Sequence, residues 1–273
     1  GAKFSTYSAF WIKHAIRLST LLTTAFVLSL LAATPADAGE KKEKPGMVYE
    51  LRTYTTLEGR LPALHARFRD HTLQLFGKHG ITNVMYWTPA DKKNTLVYLI
   101  AHASREAADK SWKAFGSDAE WKKVRAQSVK DGKILTGVKR QYLTPTNYSP
   151  TKSGGLAGLV NEKGMVFELR TYTTNEGKLD NLHSRFSDHT IALFKKHGMT
   201  NLIYTTPIDE KTASNTLVYV IAHKSRDAAK KSWKAFIGDP DWKKAYRNSI
   251  KDGKLVTKVQ SEYLNATDYS PSK

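Results

Sequence analysis

Cysteine is absent from the 273 residues of this sequence. The chain therefore has no disulfide bond, no cysteine for lipid attachment and no thiolate ligand for a metal ion. No two histidines are spaced four residues apart on a predicted helix, and no carboxylate cluster resembles a known ligand set. We therefore expect no metal site and no cofactor. Haem, which needs a single axial histidine, has no local motif in this sequence.

Motifs of several common protein classes are also missing. The sequence contains neither a glycine-rich phosphate loop nor a G-x-S-x-G nucleophile elbow. It contains no recognisable nucleic-acid motif either, so we expect no sequence-specific binding to nucleic acid. The composition is that of a globular protein, because 40% of the residues are hydrophobic and 11% are aromatic.

Residues 1–38 differ from the rest of the chain. Three basic residues precede the apolar run 18–33, and Ala36 and Ala38 then form a small-x-small cleavage pattern. This order predicts a secretory signal peptide, with cleavage after Ala38, and an exported protein of the bacterial periplasm or exterior. The alternatives are a transmembrane anchor, for which ~20 apolar residues are needed, and a mitochondrial presequence, which is amphipathic and rich in arginine.

Positive charge dominates the composition. Lysine and arginine number 43 against 25 acidic residues, which gives a net charge of +18. Residues 1–38 carry three basic residues and one acidic residue, so the remainder has +18 − 3 + 1 = +16. Such a charge favours an anionic surface or polymer as a partner. Lysines scattered over solvated helix surfaces explain the same charge without any partner.

From Met47 onward the sequence consists of two similar repeats. Residues 47–89 match residues 165–207 without a gap at about two thirds of the positions, and three residues are then inserted near Lys211. The match continues to the closing "NYSP" and "DYSP". We predict a linker at 39–46, a first domain at 47–148, a glycine-containing linker at 149–164 and a second domain at 165–273.

Each half predicts the order β-α-β-β-α-β. In the first half we expect strands at Met47–Tyr54, Asn83–Thr88, Thr95–His102 and Ile134–Tyr142. A helix is expected from Glu58 to His79, with Gly80 as its stop, and a second helix after Ser104, with Asp118 capping a further turn. Apolar residues occur at both odd and even positions of the strands, so both faces of the sheet must be buried. The second copy of the unit can bury the face that the helices do not.

Three motifs, each present in both halves, resemble those of NIPSNAP domains. They are "MVYELRTYTT" and "MVFELRTYTT", "HARFRDHTLQLFGKHG" and "HSRFSDHTIALFKKHG", and the two "SWKAF" segments. The resemblance covers nearly all of residues 47–143 and 165–264. It implies the dimeric α+β barrel superfamily. The predicted fold class is therefore α+β, with two tandem ferredoxin-like units pairing their antiparallel sheets into one intrachain barrel, as a monomeric pseudo-dimer or part of a larger assembly. The resemblance implies no catalytic residues.

Polar side chains occupy alternate positions of the first strand in each half. Glu50, Arg52 and Tyr54 point to one face of the sheet. The equivalent residues are Glu168, Arg170 and Tyr172. One interpretation is an ion pair held against the opposing unit, where it fixes the register across the barrel. The other is a binding site in which the arginine anchors an anionic ligand and the tyrosine donates a hydrogen bond.

Eight histidines outside residues 1–38 form four matched pairs. His71 and its counterpart His189 are expected beside the apolar stripe of the first helix, facing the sheet, and are our first candidates for a general base or ligand contact. A hydrogen-bonded structural histidine is the alternative. Further ligand-binding candidates are aromatic residues with polar tips and the histidines that end a strand: Tyr86, His102, Trp112, Tyr204, His223 and Trp233. An aromatic core explains the same aromatic residues.

Three functions remain open from the sequence. The first is binding of a small apolar or aromatic molecule, or of a protein partner, without established catalysis. The second is a cofactor-independent monooxygenase or isomerase, which requires a cavity joining His71 or His189 to a polar group of a strand. The third is a basic envelope-associated protein, whose binding to anionic surfaces weakens as ionic strength rises.

Overall fold

The computed structural model describes residues 46–151 and 164–271. The predicted signal peptide lies outside the described residues, and so do most of the two predicted linkers. Within these two ranges no helix is long and apolar enough to cross a membrane.

The first unit contains four strands, four α-helices and one π-helical turn. The strands are β1 (Val48–Thr56), β2 (Thr82–Pro89), β3 (Thr95–His102) and β4 (Leu135–Pro145). The helices are α1 (Leu61–Arg67), α2 (Leu73–Lys78), α3 (Arg105–Ser117) and α4 (Ala119–Ser128), with a π-helical turn, Phe68–Thr72, between α1 and α2.

The second unit repeats this order with one addition. Its strands are β5 (Val166–Thr174), β6 (Thr200–Pro207), β7 (Thr216–His223) and β8 (Val256–Ala266). Its helices are α5 (Leu179–Arg185), α6 (Ile191–Lys196), α7 (Glu210–Ala213), α8 (Arg226–Gly238) and α9 (Pro240–Ser249), and its π-helical turn is Phe186–Thr190. The short helix α7 contains part of the insertion that distinguishes the second half.

Local sequence signals explain most element boundaries. The hydroxyl of Ser104 accepts a hydrogen bond from the Ala107 N–H, and the carboxylate of Asp118 accepts one from the Trp121 N–H, so both predicted caps are confirmed. Gly80 has a φ of +74° just after α2, a conformation that favours glycine. β3 has the predicted bounds, whereas β4 extends three residues beyond the predicted Tyr142.

The π-helical turn is the main departure from the predicted helix Glu58–His79. The N–H of Leu73 bonds to the carbonyl of Phe68, five residues earlier, and the Thr72 hydroxyl donates to the carbonyl of Arg67 at 3.0 Å. One wide turn therefore interrupts a helix that the 3.6-residue pattern describes as continuous.

The eight strands close into one antiparallel barrel in the order β1-β3-β2-β8-β5-β7-β6-β4. Two seams join the units, and each contains only three residue pairs. Trp87 to Pro89 of β2 pair with Ala266 to Leu264 of β8, and Leu143 to Pro145 of β4 pair with Pro207 to Thr205 of β6. The predicted fold class is confirmed, since both ferredoxin-like units form one barrel within a single chain.

Alternate residues along a strand belong to two different hydrophobic cores. Tyr49, Val97, Phe167 and Val218 belong to the cluster inside the barrel. Residues of the other parity, such as Tyr98, pack with Phe68 and Phe76 beneath the helices of their own unit. The strands β2, β3, β6 and β7, and most of β1 and β5, thus bury both of their faces, one in the barrel and one under helices, whereas much of β4 and β8 is exposed.

A tail from each unit crosses the seam and binds the other unit. The Ser270 hydroxyl accepts a hydrogen bond from the Tyr86 N–H at 2.9 Å, and Ser149 accepts one from the Tyr204 N–H at 3.0 Å. The tail tyrosines also contact the opposite unit: Tyr269 bonds to His65 at 2.8 Å and Tyr148 to His183 at 2.7 Å. These reciprocal contacts extend both seams.

Replacing Ser270 tests this crossing. In Ser270→Ala the buried N–H of Tyr86 loses its acceptor, so we expect the free energy of unfolding to fall by about 1–3 kcal/mol. Urea denaturation of wild type and variant measures the change. Ser117→Ala removes an exposed hydroxyl that bonds within its own helix, and it should leave stability unchanged. Equal effects of the two substitutions would contradict the assigned role of the tail.

Candidate functional site

Glu50 lies at the centre of a buried polar cluster between β1 and α3. Its side chain is 0% exposed. It accepts hydrogen bonds from Arg52 at 2.5 Å, from His102 Nε2 at 3.0 Å and from the Trp112 indole N–H at 2.7 Å. Arg52 also donates to the Tyr54 hydroxyl at 3.1 Å, and its guanidinium lies 4.4 Å from the centre of the Trp112 ring. Five of the predicted residues therefore meet in one place.

The second unit repeats the cluster around Glu168. This carboxylate accepts hydrogen bonds from Arg170, from His223 Nε2 at 2.9 Å and from the Trp233 indole at 2.8 Å. Ser261 adds a fourth donor at 2.6 Å, and Arg170 donates to the Tyr172 hydroxyl at 3.1 Å.

Each cluster keeps its carboxylate ionised despite burial. Burial alone would raise the pKa of Glu168, but the His223 hydrogen bond, the Arg170 charge and the Ser261 and Trp233 hydrogen bonds lower it to about 2. The pKa of Glu50 is also lowered, because the His102 hydrogen bond and the Arg52 charge outweigh desolvation. The ion pair is thus satisfied by the protein itself.

The position of this ion pair corrects one expectation. Glu50 and Arg52 share the outer face of the sheet with Tyr98 and Ile100, and they contact α3 of their own unit. They do not lie against the opposing unit, because the barrel interior is filled by the other parity of β1, represented by Tyr49.

Tyr86 and Tyr204 lie outside both clusters. Tyr86 is buried, stacks on Tyr98 with ring centres 5.3 Å apart, and donates its hydroxyl to Asn83 at 2.5 Å. Tyr204 stacks on Tyr219 in the same way. Both tyrosines therefore occupy core positions in which the hydroxyl is already bonded to a neighbouring asparagine.

His71 and His189 are exposed, so the expectation that they face the sheet is wrong. The π-helical turn places Thr72 on the buried side of the helix, and His71 points outward. His71 borders a surface depression of about 560 Å³ that is walled by helical and turn residues, such as Arg67 and Val124. It does not meet Arg52 or Tyr54 there.

A cavity lies between helices and sheet in each unit, and we call these the helix–sheet pockets. The first has a volume of about 180 Å³ and the second about 300 Å³. The first is lined by Tyr54, Arg67, Phe68, Thr72, Phe76, Trp112, Phe115, Trp121, Arg125 and Leu135. Their equivalents line most of the second, where Tyr246 replaces Arg125.

Arg67 and Arg185 are the charged residues buried in these pockets. They are 7% and 6% exposed, and neither forms an ion pair with any carboxylate of residues 46–151 or 164–271. Arg67 Nη1 donates only to the Ser128 hydroxyl at 3.3 Å, and its Nε is buried without a hydrogen-bond partner in the described chain. Burial lowers the pKa of both guanidinium groups, yet arginine stays charged.

Aromatic rings complete the surroundings of these two arginines. The guanidinium of Arg67 lies 5.5 Å from the centre of the Trp121 ring, and that of Arg185 lies 5.4 Å from Trp242 and 5.5 Å from Tyr246. Cation–π contacts of this kind offset part of the desolvation cost without neutralising the charge. Each pocket is therefore mainly apolar and aromatic, with one buried guanidinium that has no ion-pair partner in the described chain; the exposed Arg125 borders the first pocket and the exposed Lys254 the second.

Sequence reasoning missed Arg67 and Arg185. The sequence repeat could have indicated these residues, because Arg67 and Arg185 occupy the same position in both halves, directly before the Phe of "RFRDHT" and "RFSDHT". They were overlooked because an arginine on a predicted helix surface is normally solvated. The predicted Trp112 and Trp233 are nearby, and Trp112 borders both the first pocket and the Glu50 cluster.

Metal-ligand geometry is not found in the part of the chain that the structure describes. No group of three or more His, Asp or Glu side chains there is arranged to hold a metal ion.

Comparisons with known proteins place the fold and the family. The family model described as NIPSNAP matches residues 49–150 and 167–271. No curated protein matches the sequence. The fold is similar to that of a "putative monooxygenase" from Fusobacterium nucleatum, with a TM-score of 0.57 and 10% identity over 85% of this chain and 100% of that one.

Two further solved structures show the same fold. A "putative monooxygenase" from Lactobacillus acidophilus has a TM-score of 0.50 and 11% identity over 81% of this chain and 94% of that one. An "anthrone oxidase-like protein" has a TM-score of 0.52 and 12% identity over 83% of this chain and 92% of that one. At these identities the similarity establishes the fold alone.

The low pKa of Glu168 predicts a specific pH dependence. A carboxylate whose pKa is about 2 in the folded state and 4.5 ordinarily stabilises the fold above pH 4.5. This contribution is lost as the pH falls from 4.5 towards 2. At pH 7, Glu168→Gln should lower the free energy of unfolding by about 3 kcal/mol, because Arg170 stays buried without its counter-charge.

Urea denaturation between pH 3 and pH 7 tests this expectation. The difference between wild type and Glu168→Gln should shrink as the pH falls, whereas other carboxylates with lowered pKa values affect both proteins alike. Glu176→Gln removes an exposed carboxylate as a control. A difference that stays constant over this range would show that Glu168 is not responsible.

Proposed function

The chain belongs to the NIPSNAP family, and we propose that it binds small aromatic acids in its two helix–sheet pockets. Arg67 and Arg185 anchor the acidic group, and the surrounding rings contact the apolar body of the ligand. The observation that carries this proposal is a buried arginine without a counter-ion in an aromatic cavity, present in both units.

The energetic cost of these arginines supports a binding role. A buried charge without a partner is unfavourable, and a hydrophobic residue at the same position is often neutral or stabilising. Arg52 and Arg170, by comparison, are paired with Glu50 and Glu168. A carboxylate ligand would give Arg67 the bidentate partner that the folded chain does not supply.

The size and lining of the pockets indicate the class of ligand. An apolar cavity of about 150 Å³ accommodates benzene, so about 180 Å³ suits a single-ring acid. The walls contain no Asp or Glu, which would repel an anion. Phe76, Phe115 and Trp121 present ring edges and faces for stacking.

The alternative function that the sequence raised is that of an oxygenase or isomerase. Two of the structural neighbours are themselves named "putative monooxygenase". In that hypothesis His71 or His189 is the general base, and Arg52 and Tyr54 polarise an oxygen atom. The exposed positions of both histidines and the pairing of Arg52 with Glu50 support binding without this catalytic arrangement. Tyr54 does border the first pocket, where it can donate to a bound anion.

The setting in which binding takes place is a separate proposal. The basic and apolar segments of residues 1–38 support export to the bacterial periplasm or exterior. The net positive charge supports contact with an anionic surface there, in which case retention should weaken with ionic strength.

Titration with benzoate and with benzamide tests the proposed function. These probes have the same ring, but only benzoate is an anion. We expect benzoate to bind wild type more tightly than benzamide, and the double variant Arg67→Met/Arg185→Met to bind benzoate at least tenfold more weakly. Calorimetry measures affinity, and the fluorescence of Trp121 and Trp242 reports on occupancy of the pockets.

The control removes the same charge from the surface. Lys231→Met/Arg247→Met replaces two exposed residues and should bind benzoate as wild type does, apart from a small salt-dependent change. The thermal midpoint of Arg67→Met/Arg185→Met should equal or exceed that of wild type, because two unpaired buried charges are removed. Unchanged benzoate affinity in this variant would refute the proposal.

A further inference from the structure

A larger cavity lies where the two units meet, and it is separate from the helix–sheet pockets. Its volume is about 910 Å³, and we call it the central cleft. Leu51 of β1 and the equivalent Leu169 of β5 line it, as do the segments 139–142 of β4 and 260–262 of β8.

The walls of the central cleft combine side chains of β1 and β5, which are paired on both sides, with an edge of β4 that is unpaired among the described residues. Side chains of a strand alternate between two faces, so a run of consecutive residues can line a cavity only where the edge of the strand faces it. Lys139, Arg140, Gln141 and Tyr142 form such a run in β4. β6 pairs with β4 only from Leu143 to Pro145, so this edge has no neighbouring strand in the described chain.

The hydrogen-bond pattern identifies which main-chain groups face the cleft. The carbonyl of Tyr142 points away from β1, because it accepts the N–H of Ile208 beside β6. Antiparallel pairing repeats every second residue, so the N–H and C=O of Arg140 and Val138 point the same way. In β8 the carbonyl of Tyr263 accepts the Ala90 N–H, which directs the groups of Ser261 towards the cleft.

The charge of the cleft is unequal between the units. β4 contributes Lys139 and Arg140, whereas the equivalent residues of β8 are Gln260 and Ser261. Lys211, from the insertion that forms α7, lines the cleft as well. Lys139, Arg140 and Lys211 form no ion pair within residues 46–151 or 164–271, whereas the other two cations of the lining, Lys92 and Arg105, pair with Glu262 and Asp109. The second acid of the lining, Asp209, accepts a hydrogen bond from the Lys211 N–H.

We infer that the free edge of β4 in the central cleft binds an extended acidic peptide by strand addition. The main chain of the peptide pairs with Val138 and Arg140, and its acidic side chains lie on the face of β4 that carries Lys139, towards Lys211. Apolar side chains at alternate positions of the peptide pack against Val138, which is 47% exposed.

A second copy of this chain fits the edge less well. Lysine and arginine on an edge strand oppose pairing between like copies. Two β4 edges brought together would place Lys139 and Arg140 of one chain beside the same cations of the other. The charge that discourages self-association therefore favours an acidic strand.

Fluorescence anisotropy with a labelled acetyl-Glu-Val-Glu-Val-Glu-amide peptide tests the inference at low ionic strength. We expect saturable binding that weakens at least tenfold in Lys139→Gln/Arg140→Ser. These substitutions install the residues found at the equivalent positions 260 and 261, where the same strand geometry tolerates them. Lys122→Gln/Lys123→Gln, on the exposed face of α4, is the matched control and should leave binding unchanged.

Two altered peptides separate strand addition from general attraction between charges. N-methylation of alternate main-chain nitrogens should abolish binding, because it removes donors that a strand edge requires. The peptide Glu-Glu-Glu-Val-Val, with the same charge, should bind at least fivefold more weakly. Equal binding of the N-methylated peptide, equal loss in the α4 control, or no binding to wild type would each overturn the inference. None of these results depends on the benzoate sites.

Discussion

The need to cover both faces of each sheet governs this structure. A four-stranded antiparallel sheet with its helices on one side leaves its other face to water, and here that face carries Tyr49, Val97 and Trp87. Placing the two sheets together in a barrel buries these residues against Phe167 and Val218 of the other unit. Because one set of alternate β1 side chains faces the barrel interior, the other set must lie beneath the helices. The position of Glu50 and Arg52 is therefore a consequence of barrel closure.

The buried arginines beneath the helices have two kinds of surroundings. Arg52 is bonded to a carboxylate and a tyrosine and is covered by an indole ring, so its charge is used within the fold. Arg67, which follows Arg52 in the sequence and lies on the same side of the sheet, contacts a serine hydroxyl and an indole ring and has no ion-pair partner among the described residues. The contrast between a paired and an unpaired guanidinium supports a structural role for Arg52 and the ligand-binding role that we propose for Arg67.

Much of the fold could be predicted from the sequence. The repeat, the alternation in the strands and the capping residues Ser104 and Asp118 are local signals, and they gave the correct element order and one barrel in a single chain. The candidate site was less predictable. The alternation of side chains correctly grouped Glu50, Arg52 and Tyr54, but the face on which they lie depends on which set of alternate residues the barrel buries. His71 was misplaced because helical periodicity does not reveal a π-helical turn. The role that we propose for Arg67 depends on its having no ion-pair partner among the described residues, and no spacing in the sequence encodes that.

Covalent connection of the two units changes how the barrel assembles. In a barrel made from two separate chains, closure is bimolecular, and stability depends on the concentration of the protomers. Here both seams and both crossing tails form within one molecule, so dilution does not open them and three residue pairs suffice at each seam. A single chain also frees the halves from enforced symmetry. Trp87 corresponds to Thr205 and Arg125 to Tyr246, so each half can acquire its own specificity while the other preserves the shared architecture.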